Sequence, residues 1–230
     1  IQGGRWVGDV RVRQAIAYAI DKEKLIEDAV DNIGFPAYGP LTSRHWGYWP
    51  GVENYYQYNP EKARQLLAEA GFPEGTKIEL LAMDRDRKVA EALYYQLKEV
   101  GIDLDYKIVN FGILEEAVRN REHQIYLLDW NWPYEDIIFW MFHPDRAPSP
   151  NRNWWDHENA EQVIDRTFLA DDDEALEALY EAQRMIMEDC VWVPWREQEV
   201  FHFARAEVKG YQLHPWPSWT WKLLDVTVET

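Results

Sequence analysis

The sequence predicts an α/β fold in which a mainly parallel central sheet is flanked by helices. Two observations support this prediction. Between residues 78 and 129, apolar segments typical of strands alternate with segments whose apolar residues recur at helical spacing. Gly71 and Gly101 directly follow two of the helical segments, as glycines that end helices do. Parallel strands require long crossover connections, so this strand–helix alternation implies right-handed crossovers and a mainly parallel sheet.

Three helices are expected before the first of these strands. Apolar residues recur at helical spacing after Asp9, after Asp21 and after Asn59. Each of these polar side chains can accept a hydrogen bond from the turn that follows it, which is the role of an N-cap. Pro60 suits the first turn of the third helix. Glycines and prolines interrupt residues 34–58, and the tyrosines and tryptophans there predict an ordered loop.

The central part of the chain supplies the strands. They are predicted at residues 78–83, 102–108 and 125–129, and the second alternates apolar with charged residues as a strand with one solvated face does. Helices are predicted between them, at residues 89–100 and 113–121. In open α/β sheets, ligands bind beyond the carboxyl ends of the parallel strands. The segment that follows the third strand therefore lies where a ligand is expected.

The carboxyl-terminal part is predicted to be helical first and extended afterwards. A short helix is expected at residues 136–142 and a second at 158–168. A long third helix starts in the acidic residues 171–174. Residues 191–208 and 223–228 have the composition of strands and are separated by turn residues.

The composition restricts the function. A chain of 230 residues with 47% hydrophobic residues can bury a sizeable core, in one large domain or two small ones. Its 24 basic and 41 acidic residues give 24 − 41 = −17, a charge that repels phosphate groups. Neither nucleic acid nor an anionic membrane surface is therefore an expected partner. No apolar run reaches the length of about 20 residues that spans a bilayer. The single Cys190 excludes an internal disulfide and is expected to be a buried small hydrophobe.

Motifs for catalysis are weak. The sequence has no phosphate-binding loop, dinucleotide fingerprint or paired CxxC motif, and its six histidines are isolated, so neither a cofactor nor a metal site is expected. No serine has the context of a nucleophile elbow. Glu135 and Asp136 are the one carboxylate pair in a plausible cleft, but adjacent residues point apart, whereas the two acids of a glycosidase face each other. These observations favour a binding protein over an enzyme.

Residues 127–136 are the main candidate for a ligand site. An apolar strand runs there into a loop of tryptophans, a tyrosine and carboxylates, whose flat faces and directional acceptors suit a polar, ring-bearing or extended solute. A buried aromatic cluster at a domain edge is the alternative, and for any single tryptophan, Trp155 included, a core position is the leading alternative. The residues predicted to bind the ligand are Trp46, Trp130, Asn131, Trp132, Asp136, Asn153 and Trp154.

Four segments of the chain resemble one family of proteins. They are residues 9–21 (DVRVRQAIAYAID), residues 58–72 (YNPEKARQLLAEAGF), residues 179–183 (LYEAQ) and residues 208–211 (VKGY). In this order they are similar to the C-terminal half of extracellular solute-binding protein family 5, the dipeptide- and oligopeptide-binding receptors of bacterial ABC importers. The resemblance implies a periplasmic-binding-protein-like (type II) lobe that binds a solute and catalyses no reaction.

The resemblance also implies an organisation and partners. Members of the family hold a solute between two lobes joined by crossing strands and deliver it to an ABC permease in the membrane. By resemblance, residues 1–205 form the C-terminal ligand-binding lobe, and residues 206–230 form a return segment that would cross to a missing N-terminal lobe of the same protein. The first residues look like a chain entered partway, which suggests a fragment. The implied location is periplasmic or extracellular, associated with the cell surface.

Residues 127–136 resemble the tryptophan-containing cleft segment of the family, with one departure. Peptide-binding members carry an acid shortly after the tryptophan, and this acid pairs with the amino terminus of the peptide. Pro133 stands at that position here, and Asp136 matches the next acid of the family. A buried ammonium without a carboxylate is costly, so an oligosaccharide is slightly favoured over a peptide. The alternatives are a carbohydrate-active enzyme, a carbohydrate-binding module, and a partner-binding module that uses the aromatic tail.

Overall fold

The computed structural model of the chain describes residues 6–131, 136–169, 172–199, 201–211 and 226–228. The helices of this part are α1 Val10–Ala19, α2 Lys22–Val30, α3 Pro60–Glu69, α4 Arg87–Glu99, α5 Phe111–Arg119, α6 Ile137–Phe142, α7 Ala160–Leu169 and α8 Asp172–Asp189. The strands are β1 Phe35–Pro36, β2 Thr76–Ala82, β3 Ile102–Ile108, β4 Ile125–Tyr126, β5 Arg196–Glu197, β6 Val208–Lys209 and β7 Thr227–Val228. Short 3-10 helices occupy Pro50–Asn54, Asp84–Asp86 and Pro144–Arg146.

The N-caps predicted for the first three helices are confirmed. Asp9, Asp21 and Asn59 each accept a hydrogen bond from a backbone N–H of the turn that follows, at 2.9, 3.0 and 2.9 Å. A cap of this kind contributes about 1 kcal/mol to stability because it satisfies a donor that has no partner within the helix. After α3 and α4, Gly71 and Gly101 have φ values of +67° and +93°, which glycine adopts without the strain that other residues suffer. The predicted glycine stops are therefore also confirmed.

The central sheet contains β3, β2 and β4 in that order, and both neighbouring pairs are parallel. Ile78 lies opposite Leu104, and Leu80 lies opposite Ile125. The connections between these strands contain α4 and α5, so the predicted order of strands and helices is confirmed. Since the strands are parallel, their carboxyl ends lie at one edge of the sheet.

The third strand of this sheet is shorter than predicted. The sequence suggested a strand over residues 125–129, but β4 ends at Tyr126. The register explains the difference, because Tyr126 lies opposite Leu81 and residue 128 would have to pair with Met83. At Met83 the chain already leaves β2 and enters the 3-10 helix Asp84–Asp86. The residues after β4 are therefore a loop at the carboxyl edge of the sheet.

The sheet is covered on both faces. Leu80 and Leu104 belong to the largest buried cluster, to which α1, α3 and α4 contribute their apolar faces. Leu81 belongs to a smaller cluster on the opposite face, together with Leu114 and Val118 of α5. Each fully buried leucine or isoleucine in these clusters stabilises the fold by about 1.5–3 kcal/mol relative to an exposed position.

A second large cluster is built by α6, α7 and α8. Ile138 and Phe142 of α6 pack with Ile164 of α7 and with Leu179 and Ile186 of α8. The short helix predicted at residues 136–142 is thus confirmed, and its apolar composition is explained by burial. Among the residues that the structure describes, no helix combines the length and the apolar character needed to cross a bilayer.

The prediction of long strands in the tail is wrong for most of residues 191–208. In the described part of the tail, only Arg196–Glu197, Val208–Lys209 and Thr227–Val228 are strands, and the last two pair with each other. Val191 and Trp192 pack on the cluster of α6, α7 and α8, whereas Val193 and Trp195 pack on the largest buried cluster, which explains the apolar composition of this segment without a ladder of backbone hydrogen bonds. Residues 223–225 of the predicted last strand lie outside the described residues. The domain division near residue 205 remains a prediction.

Candidate functional site

A cleft of about 420 Å³ lies at the carboxyl edge of the central sheet. Four separate segments supply most of its lining, to which Val89 and Ile137 add. The four segments are the wall segment 37–45, the 3-10 helix Asp84–Asp86 after β2, the loop 127–130 after β4, and the segment 192–198 around β5. Ligands bind at this edge of parallel sheets. The strands end there in loops, whose residues are not constrained by packing in the core.

The floor of the cleft carries charged side chains of both signs. The turn after β2 presents Arg85 and Asp86, and the loop after β4 presents Asp129. A guanidinium N–H of Arg85 donates to the carboxylate of Asp129, and Arg85 Nε lies 3.5 Å from Asp86 Oδ2. Burial raises the pKa of the Asp86 carboxyl group, an effect that the neighbouring Arg85 opposes. Asp86 therefore lies in a partly desolvated part of the floor.

Arg196 of β5 adds a second guanidinium to the same cleft. Burial lowers the pKa of Arg196, and the carboxylates of Asp129 and Asp86 oppose this effect. Its guanidinium lies 4.9 Å from the centroid of the Trp195 ring, within the range of a cation–π contact. The floor is thus a mixed-charge cluster, which we define as Arg85, Asp86, Asp129 and Arg196.

Three tryptophans line the cleft beside these charges: Trp130, Trp192 and Trp195. Trp130 is half-buried, and it packs against the cluster formed by α6, α7 and α8. The guanidinium carbon of Arg152 lies 5.8 Å from the centroid of the Trp130 ring. Trp130 therefore combines a structural contact with a position in the cleft wall.

Pairing between β1 and β5 holds the wall in place. Phe35 lies opposite Glu197 in an antiparallel pair. The Glu197 carboxylate accepts hydrogen bonds from the Ser43 backbone N–H at 2.7 Å and from its hydroxyl at 3.1 Å. Gly34 approaches the same strand so closely that a Cβ atom there would lie 2.5 Å from the backbone oxygen of Glu197. A glycine at this position lets the two strands meet.

The predicted site residues near the cleft have different positions. Trp130 lines it, whereas Asn131 and Trp46 are exposed side chains that do not belong to its lining. Asp136 accepts a hydrogen bond from the Trp140 side chain at 3.1 Å and also lies away from the lining. Trp132 lies outside the described residues, as does Pro133.

Asn153 and Trp154 line a different cavity, of about 210 Å³, which Trp130 also borders. Asn153 accepts a hydrogen bond from the Tyr126 hydroxyl at 3.1 Å. The Trp154 indole N–H donates to the backbone oxygen of Val118 at 2.9 Å, and its ring lies 3.8 Å from the Arg121 guanidinium carbon. The structure therefore places both residues at this second cavity, which Asp129 and Trp130 also line, and outside the lining of the cleft that holds Arg85, Asp86 and Arg196.

Trp155 occupies the core position that was the leading alternative for each tryptophan. It is 3% exposed, and its indole N–H donates to the Asp189 carboxylate at 2.7 Å. A ring buried in this way offers no face to a solute. The sequence could not distinguish it from its neighbour Trp154.

The mixed-charge cluster is not among the site residues that the sequence predicted. Arg85 and Asp86 follow a predicted strand directly, and the rule that ligands bind beyond strand ends, applied to β2 as well as β4, would have identified them. Asp129 was assigned to the strand instead of the loop. No pattern in the sequence indicates that Arg196 belongs to the site, because only the pairing of β5 with the distant β1 places it in the cleft.

One group of side chains away from the cleft has the composition of a metal site. The ligand atoms of His143, Glu161 and Asp165 lie within 4.8 Å of one another. However, His143 Nδ1 accepts the backbone N–H of Asp145 at 3.2 Å, which places the ring proton on Nε2, 3.5 Å from the Asp165 carboxylate. A histidine ligand needs a free lone pair on the coordinating nitrogen, so this geometry favours a structural contact over a metal centre.

Comparison with known proteins places these features in a family context. Residues 2–145 match the sequence profile of the bacterial extracellular solute-binding proteins, family 5. The chain is 29% identical over 219 residues to the dipeptide-binding protein of Escherichia coli K12, covering 90% of this chain and 41% of that protein. It is 26% identical over 225 residues to heme-binding protein A of Haemophilus influenzae, covering 90% of this chain and 40% of that protein. The chain thus spans about two fifths of the length of these curated relatives.

A solved structure shows the same fold. The dipeptide-binding protein from Pseudoalteromonas sp. SM9913, in complex with Met-Leu, superposes with a TM-score of 0.84 at 23% sequence identity. The superposition covers 96% of this chain and 45% of that chain. The expected type II periplasmic-binding-protein-like lobe is thereby confirmed.

Proposed function

The chain belongs to family 5 of the bacterial extracellular solute-binding proteins, and from this premise we propose that it is a lobe of the solute-binding component of an ABC importer. In this proposal, the cleft at the carboxyl edge of the sheet is one half of a binding site. The other half belongs to an N-terminal lobe, to which residues 206–230 return. The whole protein captures its solute in the periplasm or outside the cell and delivers it to a membrane permease.

The mixed-charge cluster next to Trp130 is the observation that supports solute binding most directly. The side chains of the Arg85–Asp129 ion pair are 54% and 53% exposed. Each of them can therefore leave its partner and pair with a charged group of a ligand. Arg85 also neighbours Asp86. The carboxylates of Asp86 and Asp129 therefore both have a guanidinium partner, and neither is an isolated acid or nucleophile. The two carboxylates of the cluster share Arg85 as a partner, an arrangement that suits the binding of charged groups.

The same cluster favours a peptide as the solute. A peptide has a terminal ammonium and a terminal carboxylate, and a floor with both carboxylates and guanidinium groups can pair with either. Pro133 replaces the acid that pairs with the amino terminus in peptide-binding members, but Asp129 supplies a carboxylate directly before Trp130. The relatives are named for ligands as different as dipeptides and heme, so the family alone does not specify the solute.

An oligosaccharide is the second candidate, and the three tryptophans of the cleft favour it. Indole rings stack on sugar rings, and the neighbouring polar groups can bind hydroxyls. A neutral sugar gains no Coulombic energy from the mixed-charge cluster, however, and would leave its ion pairs intact. The two candidates therefore differ in how strongly they depend on the charges of the floor.

Titration of the full-length protein with panels of short peptides and neutral oligosaccharides, followed by intrinsic tryptophan fluorescence, tests the proposal. Peptide binding that weakens at least about tenfold in the Asp129→Asn variant supports the first candidate, since a charged hydrogen bond contributes about 1.5–3 kcal/mol. Asp105→Asn, at an exposed carboxylate on β3 outside the cleft lining, is the matched control. Sugar binding that is indifferent to both substitutions supports the second candidate. A protein that binds neither class contradicts the proposed function.

A further inference from the structure

Lys22, at the start of α2, is a buried cation. It is 7% exposed, although lysine is among the residues that are least often buried. Its ammonium donates a hydrogen bond to the backbone oxygen of Ala37 at 2.8 Å. It also lies 4.7 Å from the centroid of the Tyr38 ring, whose face attracts a cation. Both partners belong to the chain that follows β1.

No anion compensates this ammonium in the part of the chain that the structure describes. The ionisable side chain that faces it from the end of α8 is Cys190, and burial raises the pKa of that thiol to about 12, so the thiol is neutral. Arg13 of α1, the hydroxyl of Tyr56 and the carboxylate of Asp189 also act on Cys190. Asp189 is the one anion among them, and its carboxylate accepts the Trp155 indole N–H at 2.7 Å. A cation in the first turn of a helix is also unfavourable, because the helix dipole is positive there.

Burial lowers the pKa of Lys22 to about 8. The charged form is therefore less favourable in the folded protein than in the unfolded chain, and the charge of Lys22 lowers the stability of the fold at neutral pH. An apolar side chain of similar length would fill the same space without this cost. The charge of Lys22 therefore gives no gain in stability, and the hydrogen bond to the Ala37 carbonyl is what a lysine adds at this position.

The contacts of Ala37 give a reason for a lysine at this position. The Ala37 backbone N–H donates to the backbone oxygen of Trp195 at 3.2 Å, directly next to the β1–β5 pair. Ala37 and Trp195 both line the cleft, and Ala37 opens the wall segment 37–45. One ammonium thus fixes the residue at which two walls of the cleft are joined.

We propose that Lys22 is a positioning residue for the cleft: its buried ammonium holds the Ala37 carbonyl and thereby sets the wall segment 37–45 and Trp195 in their binding positions. Lys22 touches no solute itself. Its role is to fix the geometry of groups that do. The inference rests on the proposed function, because it assigns a purpose to the position of the cleft wall.

The test compares Lys22→Met, Lys22→Arg and wild-type full-length protein, with Lys24→Met as the matched control. Lys24 is an exposed lysine on the same helix that pairs with Asp28. Lys22→Met is expected to bind trialanine or maltotriose about tenfold more weakly. A substitution that does not touch the ligand can weaken binding in this way when it shifts the residues that contact the ligand. Its melting temperature at pH 7 is expected to equal or exceed that of the wild type. Lys24→Met is expected to leave the affinity unchanged.

Two further readouts separate positioning from general stabilisation. Amide hydrogen exchange at Ala37, in the absence of any solute, is expected to accelerate in Lys22→Met and to be restored in Lys22→Arg. The affinity of the wild type is expected to fall about threefold from pH 7 to pH 9, since a neutral amine donates a weaker hydrogen bond than an ammonium. The affinity of Lys22→Met for maltotriose, which has no group that titrates in this range, is expected to be flat. For trialanine, whose α-amino group loses its proton there, the test is the difference between wild type and Lys22→Met.

The outcomes distinguish this inference from the proposed function. Unchanged exchange at Ala37 together with unchanged affinity in Lys22→Met overturns the positioning role, and so does a loss of affinity that matches a loss of melting temperature. If the wild type binds neither trialanine nor maltotriose nor any other member of the panels, the proposed function fails. The exchange rate at Ala37 then still decides whether Lys22 positions the wall.

Discussion

Arg85 and Asp129 form an ion pair across the carboxyl edge of the central sheet, and this pair joins the turn after β2 to the loop after β4. The two residues are 44 positions apart in the sequence. The pair lies in the cleft beside Trp130, and Asp86 and Arg196 extend it into a cluster of alternating charge. The two guanidinium groups and the two carboxylates of the floor thus offset each other's charge.

Removal of the Arg85 guanidinium should change the titration of Asp86 more than the stability of the fold. Arg85→Ala is expected to cost less than about 1 kcal/mol in urea unfolding, because both side chains of the Arg85–Asp129 pair are about half exposed. The pKa of Asp86 is expected to rise further above its usual value, since Arg85 opposes the effect of burial. NMR titration of the carboxyl groups measures this shift. Arg87→Ala, whose partner Asp84 is exposed, should leave Asp86 unchanged.

Gly34→Ala should destabilise the protein far more than Gly71→Ala. Gly34 has φ +106°, and an added Cβ would lie 2.5 Å from the backbone oxygen of Glu197, so the β1–β5 pair would have to shift. The expected loss is about 3 kcal/mol, from backbone strain and overpacking together. Gly71 has φ +67° with no atom within 4 Å of the added Cβ, so only the backbone strain of about 1 kcal/mol remains. Equal losses in urea unfolding would contradict the close approach of the two strands.

The stability difference between wild type and Lys22→Met should depend on pH. Lys22 loses its proton near pH 8 in the folded protein and near pH 10.5 in the unfolded chain. Between these values the unfolded chain holds more protons, so rising pH favours the folded wild type. The gain relative to Lys22→Met is expected to be about 2–3 kcal/mol between pH 7.5 and pH 10.5. Chemical unfolding at several pH values measures the difference, and the comparison cancels the titration of groups that do not interact with Lys22.

Cys190 should resist thiol reagents in the native state. It is 2% exposed, and burial raises its pKa to about 12, so the reactive thiolate is scarce at pH 8. Reaction with an aromatic disulfide reagent is expected to be slow without denaturant and complete in urea. Because the sequence contains one cysteine, the labelled fraction reports this site alone. Rapid labelling of the native protein would show that the end of α8 opens.

The elements that the sequence predicted well are those that local chemistry determines. Asp21 and Asn59 cap helices through residues that follow within one turn, and Gly101 ends a helix through its own backbone freedom. These interactions involve neighbours in the chain, so a pattern of a few residues identifies them. The parallel sheet followed from the alternation of such elements.

The features that the sequence did not predict depend on distant partners. β4 ends early because β2 turns away opposite it, and Arg196 reaches the cleft only through the pairing of β5 with β1. Asn153 and Trp154 looked like further binding residues, yet their contacts with Tyr126 and Val118 place them at another cavity. Composition predicted an aromatic site, and Trp130 does line the cleft, but its role in binding stays a prediction. Composition could not assign each side chain to one of two neighbouring cavities.

The charged residues of the cleft floor lie beyond or outside the strands of the central sheet, whereas the residues that pack the core lie within its strands and helices. In the proposed function, substitutions at Arg85, Asp86 and Asp129 would therefore change the groups that meet the solute without repacking the interior. A lineage with this architecture can diverge in ligand preference by a few loop mutations, each nearly neutral for folding.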